Sequence, residues 1–232
     1  MRLLILSDIH ANIAALESIR EEADAVVFLG DCVGYGPCPA ECIAWLRRHA
    51  IHAVCGNHDH AVGFDADPRC SAAFRDMALA TDGLHRQMLS EGDRDYLRSL
   101  PLRWEFDFGG ARFYAVHATP SDPLHTYLPP AGEGPAWRQQ TANLGADFLL
   151  VGHTHEPIVC EIGGVTLINP GSVGQPKHGD PRAAYAIWED GEVRLRRTSY
   201  PVERTVRQLE ALSLPPAITQ RLAAILRTGE AQ

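Results

Sequence analysis

Five times along this chain a short, unbroken apolar run stops abruptly at residues able to bind metal ions. Residues 3–6 run into Ser7-Asp8-Ile9-His10, residues 26–29 into Gly30-Asp31, and Ala53-Val54-Cys55 into Gly56-Asn57-His58-Asp59. Residues 113–116 run into His117, and residues 148–151 into Gly152-His153-Thr154-His155. Short continuous apolar runs closed by turn residues read as strands buried on both faces. In α/β sheets ligands bind beyond the carboxyl ends of such strands. The pattern therefore constrains the fold and the site together. Five strand ends carry two Asp, one Asn and four His, and they have to converge.

Between these ends the periodicity changes to helical. Residues 12–22 place Ile13, Leu16 and Ile19 on one face, and residues 39–49 place Ile43 and Leu46 likewise. Strand and helix in alternation predict parallel pairing through crossover connections. Residues 62–100 carry no strand pattern; 72–80 and 86–100 read as helices of an insertion that partly caps the site. Glycine or Asp-Gly turns at Gly109-Gly110, Gly163-Gly164 and Asp190-Gly191 predict three hairpins, over 103–116, 158–168 and 183–198. The proline-rich loop 118–135 leads to a short helix over 137–144. A helical tail over 202–228 is divided at Pro215-Pro216. The expectation is one α/β domain spanning 1–232: a four-layer αββα sandwich of two mixed β-sheets flanked by helices, with the helical cap insertion and the tail added.

Composition excludes several roles. The chain has 232 residues, a formal net charge of -8 and no cluster of basic residues, which argues against long nucleic acids as partners. It does not argue against phosphate chemistry, because bound cations bring charge that residue counting misses. No apolar stretch reaches the roughly 20 residues of a membrane span. The N-terminus enters its first strand at once, leaving no room for a cleavable leader, so a cytoplasmic location is expected. The six cysteines lack zinc-site spacing and read as small apolar residues in a reducing compartment. A second copy of the chain, as a homodimer, is an admissible partner.

The donor types define the chemistry. Asp8-x-His10 and His153-x-His155 each set two donors on the same side of an extended segment. Asp31 can bridge two ions through its two oxygens, and Asn57 offers a neutral carbonyl oxygen. Oxygen and nitrogen donors without thiolate suit Mn, Fe, Co, Ni or Zn. Seven donors exceed one tetrahedral site and match two ions that share a carboxylate. Such a pair clamps the attacking and leaving oxygens of an in-line phosphoryl displacement. Any one of these histidines alone would read as a satisfied core residue; the set does not.

Asp-x-His, Gly-Asp, Gly-Asn-His-Asp, a lone His and Gly-His-x-His, in that order, resemble the signature of the calcineurin-like metallophosphoesterase superfamily. Asn169-Pro170-Gly171-Ser172-Val173 resembles a loop of its small prokaryotic phosphodiesterases. The resemblance covers residues 1 to about 200. It implies that Asp8, His10 and His155 hold one metal, that Asn57, His117 and His153 hold the other, and that Asp31 bridges. It further implies that His58 contacts the phosphate and protonates the leaving oxygen, with Asp59 orienting it; an Asp there can equally cap a helix. Asn57 then also meets the substrate, while Asn12 and Tyr35 are further candidates; Asn12 can equally cap the first helix. The implied activity is hydrolysis of small phosphodiesters by a metal-bound hydroxide. Phosphomonoester or phosphoprotein hydrolysis is the first alternative and a non-catalytic scaffold the second. Two departures stand out: Ala118 follows His117 where glycine is common, and the insertion has no counterpart in the smallest members. Lys177 reads as a solvated loop residue, and His60, His125 and His178 as loop residues bordering the site.

Overall fold

The computed structural model describes residues 1–129 and 134–230; part of the expected loop 118–135 lies outside them. Two mixed five-stranded sheets form its centre. The first contains β1 (Arg2–Leu6), β2 (Ala25–Phe28), β3 (His52–Ala53), β9 (Ala183–Glu189) and β10 (Glu192–Thr198), in the order β10-β9-β1-β2-β3. The second contains β4 (Arg103–Phe108), β5 (Ala111–Val116), β6 (Phe148–Leu150), β7 (Ile158–Ile162) and β8 (Val165–Asn169), in the order β4-β5-β6-β8-β7. β1, β2 and β3 run parallel, as do β5, β6 and β8, and antiparallel hairpin strands complete each sheet.

Alternate side chains of each inner strand explain why those runs are apolar throughout. Leu3 and Ile5 of β1 face the second sheet, as Val27 and Leu29 do, and they meet Phe113, Ala115, Phe148 and Leu150 there. Leu4, Leu6 and Phe28 point the other way, onto α1 (Ile13–Leu16) and α2 (Pro39–His49). On the far face of the second sheet, Tyr114, Val116 and Leu149 pack with Trp137 of α6 (Pro135–Thr141). The result is helix, sheet, sheet, helix. All three hairpins turn through two residues at positive φ, which a right-twisted pair of strands requires.

Helix boundaries depart from the periodicity where tertiary contacts intervene. The first helix ends at Leu16 rather than Glu22. Ser18 bonds back to the Ala14 carbonyl, and Glu21 is drawn onto the sheet by Arg2 (2.6 Å) and Tyr185 (2.9 Å). The insertion holds α3 (Asn57–Phe64), α4 (Arg75–Met88) and α5 (Glu91–Ser99). α3 begins at the ligand motif itself, five residues before the expected insertion. α4 runs unbroken across the expected gap because its middle is tied to the loop after β2. Tyr35 N–H donates to Thr81 (3.0 Å), Gly34 N–H donates to His85 Nδ1 (3.1 Å), and His85 Nε2–H donates to the Gly36 carbonyl (2.9 Å). The tail forms α7 (Val202–Glu210) and α8 (Pro216–Thr228), packed against Phe74, Met77 and Ala78 of the insertion.

Candidate metal centre

The ends of β1, β2, β3, β5 and β6 meet at one edge of the sandwich, and all seven donor residues are 0–2% exposed. Backbone bonds lock the ends together: Asp8 N–H donates to Gly30 O (2.9 Å) and His10 N–H to Asp31 O (3.0 Å). Asp8, His10, Asp31, His153 and His155 have φ of 54°, 46°, 61°, 63° and 61°, in the left-handed region. That conformation costs an L-residue on the order of 1–3 kcal/mol each, and it persists where the surroundings over-determine it. Here it turns consecutive strand-end side chains toward one point. Gly56 lies so close under Asp31 that a Cβ there would strike its carboxylate.

The donors fall into two sets: Asp8, His10 and His155, and Asp31, His117 and His153. In the first, His10 Nε2 and His155 Nε2 are 3.1 Å apart, and Asp8 Oδ1 lies 3.1 Å from His155 Nε2 and 3.7 Å from that of His10. In the second, His117 Nε2 lies 3.3 Å from Asp31 Oδ2, 3.1 Å from Asn57 Oδ1 and 3.2 Å from His153 Nδ1. Asp31 Oδ2 is also 3.9 Å from His10 Nε2, between the two sets.

The inward atoms are selected by what holds the outward ones. His10 Nδ1–H donates to Val33 O (3.0 Å), His117 Nδ1–H to Leu29 O (2.8 Å) and His155 Nδ1–H to Gln175 O, leaving each Nε2 lone pair facing inward. His153 is reversed: Nε2 faces the His125 carbonyl at 3.3 Å, so Nδ1 turns inward. Asn57 Nδ2 donates to Pro68 O (2.8 Å), which aims its carbonyl oxygen at the site. Asp8 Oδ2 accepts from Ser7 Oγ (2.6 Å) and His153 N–H (3.1 Å), while its buried Oδ1 has no hydrogen-bond partner among the described residues. Lone pairs packed this closely repel unless a cation lies among them. The residues fit a pair of metal ions.

Electrostatics reflect the crowding. Burial lowers His10 and His153, and it lowers His155 to about 4. Burial opposes ionisation of Asp31, but the His117 and His58 rings overcome it and hold the carboxyl low. His117 moves the other way, to about 9, because Asp31 outweighs its burial.

His58 lies beside the donors, with its ring 5.3 Å from His10 and 4.6 Å from Tyr35. Its partner corrects the expectation from sequence. Asp59 does not orient it: neighbours along a helix point about 100° apart and do not face each other. Asp59 turns back instead to accept N–H bonds from Asp31 (2.8 Å), Cys32 (2.8 Å), Val33 (3.2 Å) and Gly56 (3.1 Å). The carboxylate facing His58 belongs to Asp82 of α4, with both oxygens 3.1 Å from Nδ1. Burial lowers the His58 ring, but Asp82 and Asp31 outweigh it and raise the net value.

Two other candidates are corrected or refined. Asn12 has no free polar atom for a ligand: it caps α1 through Ala15 N–H (3.2 Å), donates to Gly174 O (3.0 Å) and accepts from Thr205 (2.9 Å). Tyr35 is buried and walls the site, its ring 4.8 Å from that of His10. Of the bordering histidines, His125 meets His153 through its carbonyl, His60 lies within α3 with its ring tilted against Phe64 at 4.8 Å, and His178 forms a backbone bridge with Glu230. Lys177 is half-buried rather than a solvated loop residue. Its ammonium lies 3.3 Å from His155 Nε2 and 4.3 Å over the Phe74 ring, and burial lowers it to about 8.

Known proteins match this architecture. The model of the calcineurin-like phosphoesterase superfamily domain matches residues 1–190. An uncharacterised protein of Methanocaldococcus jannaschii is 30% identical, over 94% of this chain and 96% of its own length. Phosphodiesterase YfcE of Escherichia coli is 28% identical, over 82% of this chain and 88% of its own. The crystal structure of a metallophosphoesterase from Sphaerobacter thermophilus superposes with a TM-score of 0.82 at 33% identity, covering 97% of this chain and 99% of that one. With its ligand-bearing strand ends in place and the domain model spanning most of its length, the chain belongs to the calcineurin-like phosphoesterase superfamily.

Proposed function

We propose that this protein is a binuclear metal-dependent phosphodiesterase acting on small phosphodiesters. The observation that carries the reading is the meeting of two buried His/Asp donor sets around Asp31, with the His58–Asp82 pair alongside. Asp8, His10 and His155 would hold one ion, Asn57, His117 and His153 the other, and Asp31 both. The thiolate-free donor set favours Mn, Fe, Co, Ni or Zn. Ions bound there supply Lewis acidity to the phosphoryl oxygens and make water nucleophilic at neutral pH.

The chain's own groups do the rest. Asp82 takes the Nδ1 proton of His58 in a hydrogen bond and so fixes the ring, leaving Nε2 without a hydrogen bond among the described residues. From that atom a proton can pass to the departing alkoxide, a step that general acids accelerate about 10²–10⁴-fold. The aromatic wall of Tyr35 and Phe74 limits water around the reacting group. Relatives named phosphodiesterase favour diesters over the monoester and phosphoprotein alternatives. The free state of all six cysteines fits a reducing cytoplasm, and no helix among the described residues is long and apolar enough to cross a membrane.

The test strips the protein with chelator and restores Mn, Fe, Co, Ni or Zn separately. Hydrolysis of an aryl phosphodiester should return with at least one metal and exceed that of the matching monoester. Faster monoester turnover with every metal would favour the phosphatase alternative instead.

A further inference from the structure

Lys177 is the single lysine of a chain that otherwise uses arginine for every fixed side-chain cation. Most arginines lie at the surface against carboxylates, as Arg75 does with Asp67 and Arg227 with Glu203. Lys177 does neither. Its Nζ reaches 3.3 Å from His155 Nε2, lies 4.3 Å over the Phe74 ring and 5.8 Å from the Tyr35 ring centre, and makes no ion pair among the described residues.

The loop that carries it is fastened to the donor residues. Ser172 Oγ–H donates to Asp8 O (2.8 Å), Gln175 N–H donates to Ser172 Oγ (2.8 Å), Gly174 N–H donates to Asp8 O (3.0 Å), and Gln175 O receives the His155 ring. Lys177 follows two residues later, half-buried, with its Nζ against the His155 ring. The aromatic rings beneath the ammonium stabilise the cation without neutralising it.

We propose that Lys177 binds the phosphoryl group of the substrate, through a non-bridging oxygen. This rests on the metallophosphoesterase reading of the site. The Nε2 lone pair of His155 accepts from Nζ only while it is not given to a metal. Once it is, the three N–H groups of Lys177 lose that acceptor and stay confined beside the site by Phe74 and Tyr35. The oxygens of an anion held at the metal are the acceptors then within reach. A compact ammonium suits this place better than a guanidinium fork, which would need room that the aromatic wall takes up.

Isothermal titration of the metal-loaded full-length protein with inorganic phosphate tests the assignment, with metal content and thermal melting measured on the same samples. In Lys177→Met and Lys177→Gln the phosphate dissociation constant should rise about ten- to hundredfold, the loss expected for one charge-assisted hydrogen bond. Both variants should melt cooperatively and keep the wild-type metal content. A dissociation constant within twofold of wild type in either folded variant would overturn the assignment. So would a fall in metal content that accounts for the weaker binding. If the loaded wild type binds phosphate no better than the metal-free protein, the failure lies instead with the phosphoesterase reading beneath it.

Discussion

Asp82 shows how a residue with no local motif can complete a site. It is fully buried, and its two oxygens hold His58 from a helix 24 residues further along the chain. Replacing Asp82 by Asn keeps the shape and removes the charge that steadies the ring. Turnover of an aryl diester should fall about ten- to hundredfold, with a larger fall for an alkyl diester whose leaving oxygen needs the proton more. Steady-state rates on the two substrates, with metal content unchanged, check this; equal losses on both would argue against His58 as the proton donor.

His85, one turn further on, answers to pH. Its Nδ1 accepts from Gly34 N–H and its Nε2–H donates to Gly36 O, so the folded protein holds it neutral, and burial lowers it to about 4. The unfolded chain binds that proton near pH 6.5. Between those values the unfolded state carries more protons, so stability must fall as pH drops from about 6.5 to 4. His85→Asn, which cannot titrate, should flatten that part of the pH profile of unfolding free energy, measured by denaturant unfolding, by up to a few kcal/mol. An identical slope in both proteins would contradict the assignment.

At the scale of elements, the strands were legible and the inserted helices only partly so. Each ligand-bearing strand advertises itself by an unbroken apolar run, because both faces are buried, and each hairpin by a two-residue turn that needs positive φ. α4 offers a subtler signal. Its buried positions Met77, Ala78, Thr81, Asp82 and His85 follow the helical stripe, but three of them are polar. A polar residue on a core stripe means a buried hydrogen bond to something distant, here the Gly34–Gly36 loop and His58. Local periodicity cannot say what that partner is. The same limit applies to Lys177: its uniqueness is visible in the sequence, but the placement set by the loop anchored on Asp8 and His155 is not. Asp59 was open to two readings from its spacing, and the start of α3 at Asn57 decides for the cap. Within α4, Gly83 has open space where a Cβ would go and an ordinary helical backbone. Gly83→Ala should therefore stabilise the protein by about 0.5–1 kcal/mol. Denaturant unfolding measures this, and a loss of stability would mean that α4 is not a regular helix there.

At the scale of the whole molecule, two sheets, the insertion and the tail all converge on one edge. The first sheet contributes Asp8, His10, Asp31 and Asn57, and the second contributes His117, His153 and His155. Cations bound between them would tie the two sheets together. Removing them leaves closely opposed lone pairs, left-handed strand ends and the unpartnered Asp8 Oδ1 without compensation. Chelation should lower the melting temperature, and restoring metal should raise it in proportion to the logarithm of free metal over its dissociation constant. A melting temperature indifferent to chelator in a protein shown to carry metal would contradict this coupling.

The positions of the ions decide the chemistry most directly. Anomalous diffraction from a manganese-loaded crystal should show two peaks about 3.5–4 Å apart, one within bonding distance of Asp8, His10 and His155, the other of Asn57, His117 and His153, with Asp31 touching both. A single peak, or two peaks that do not share Asp31, would contradict that arrangement.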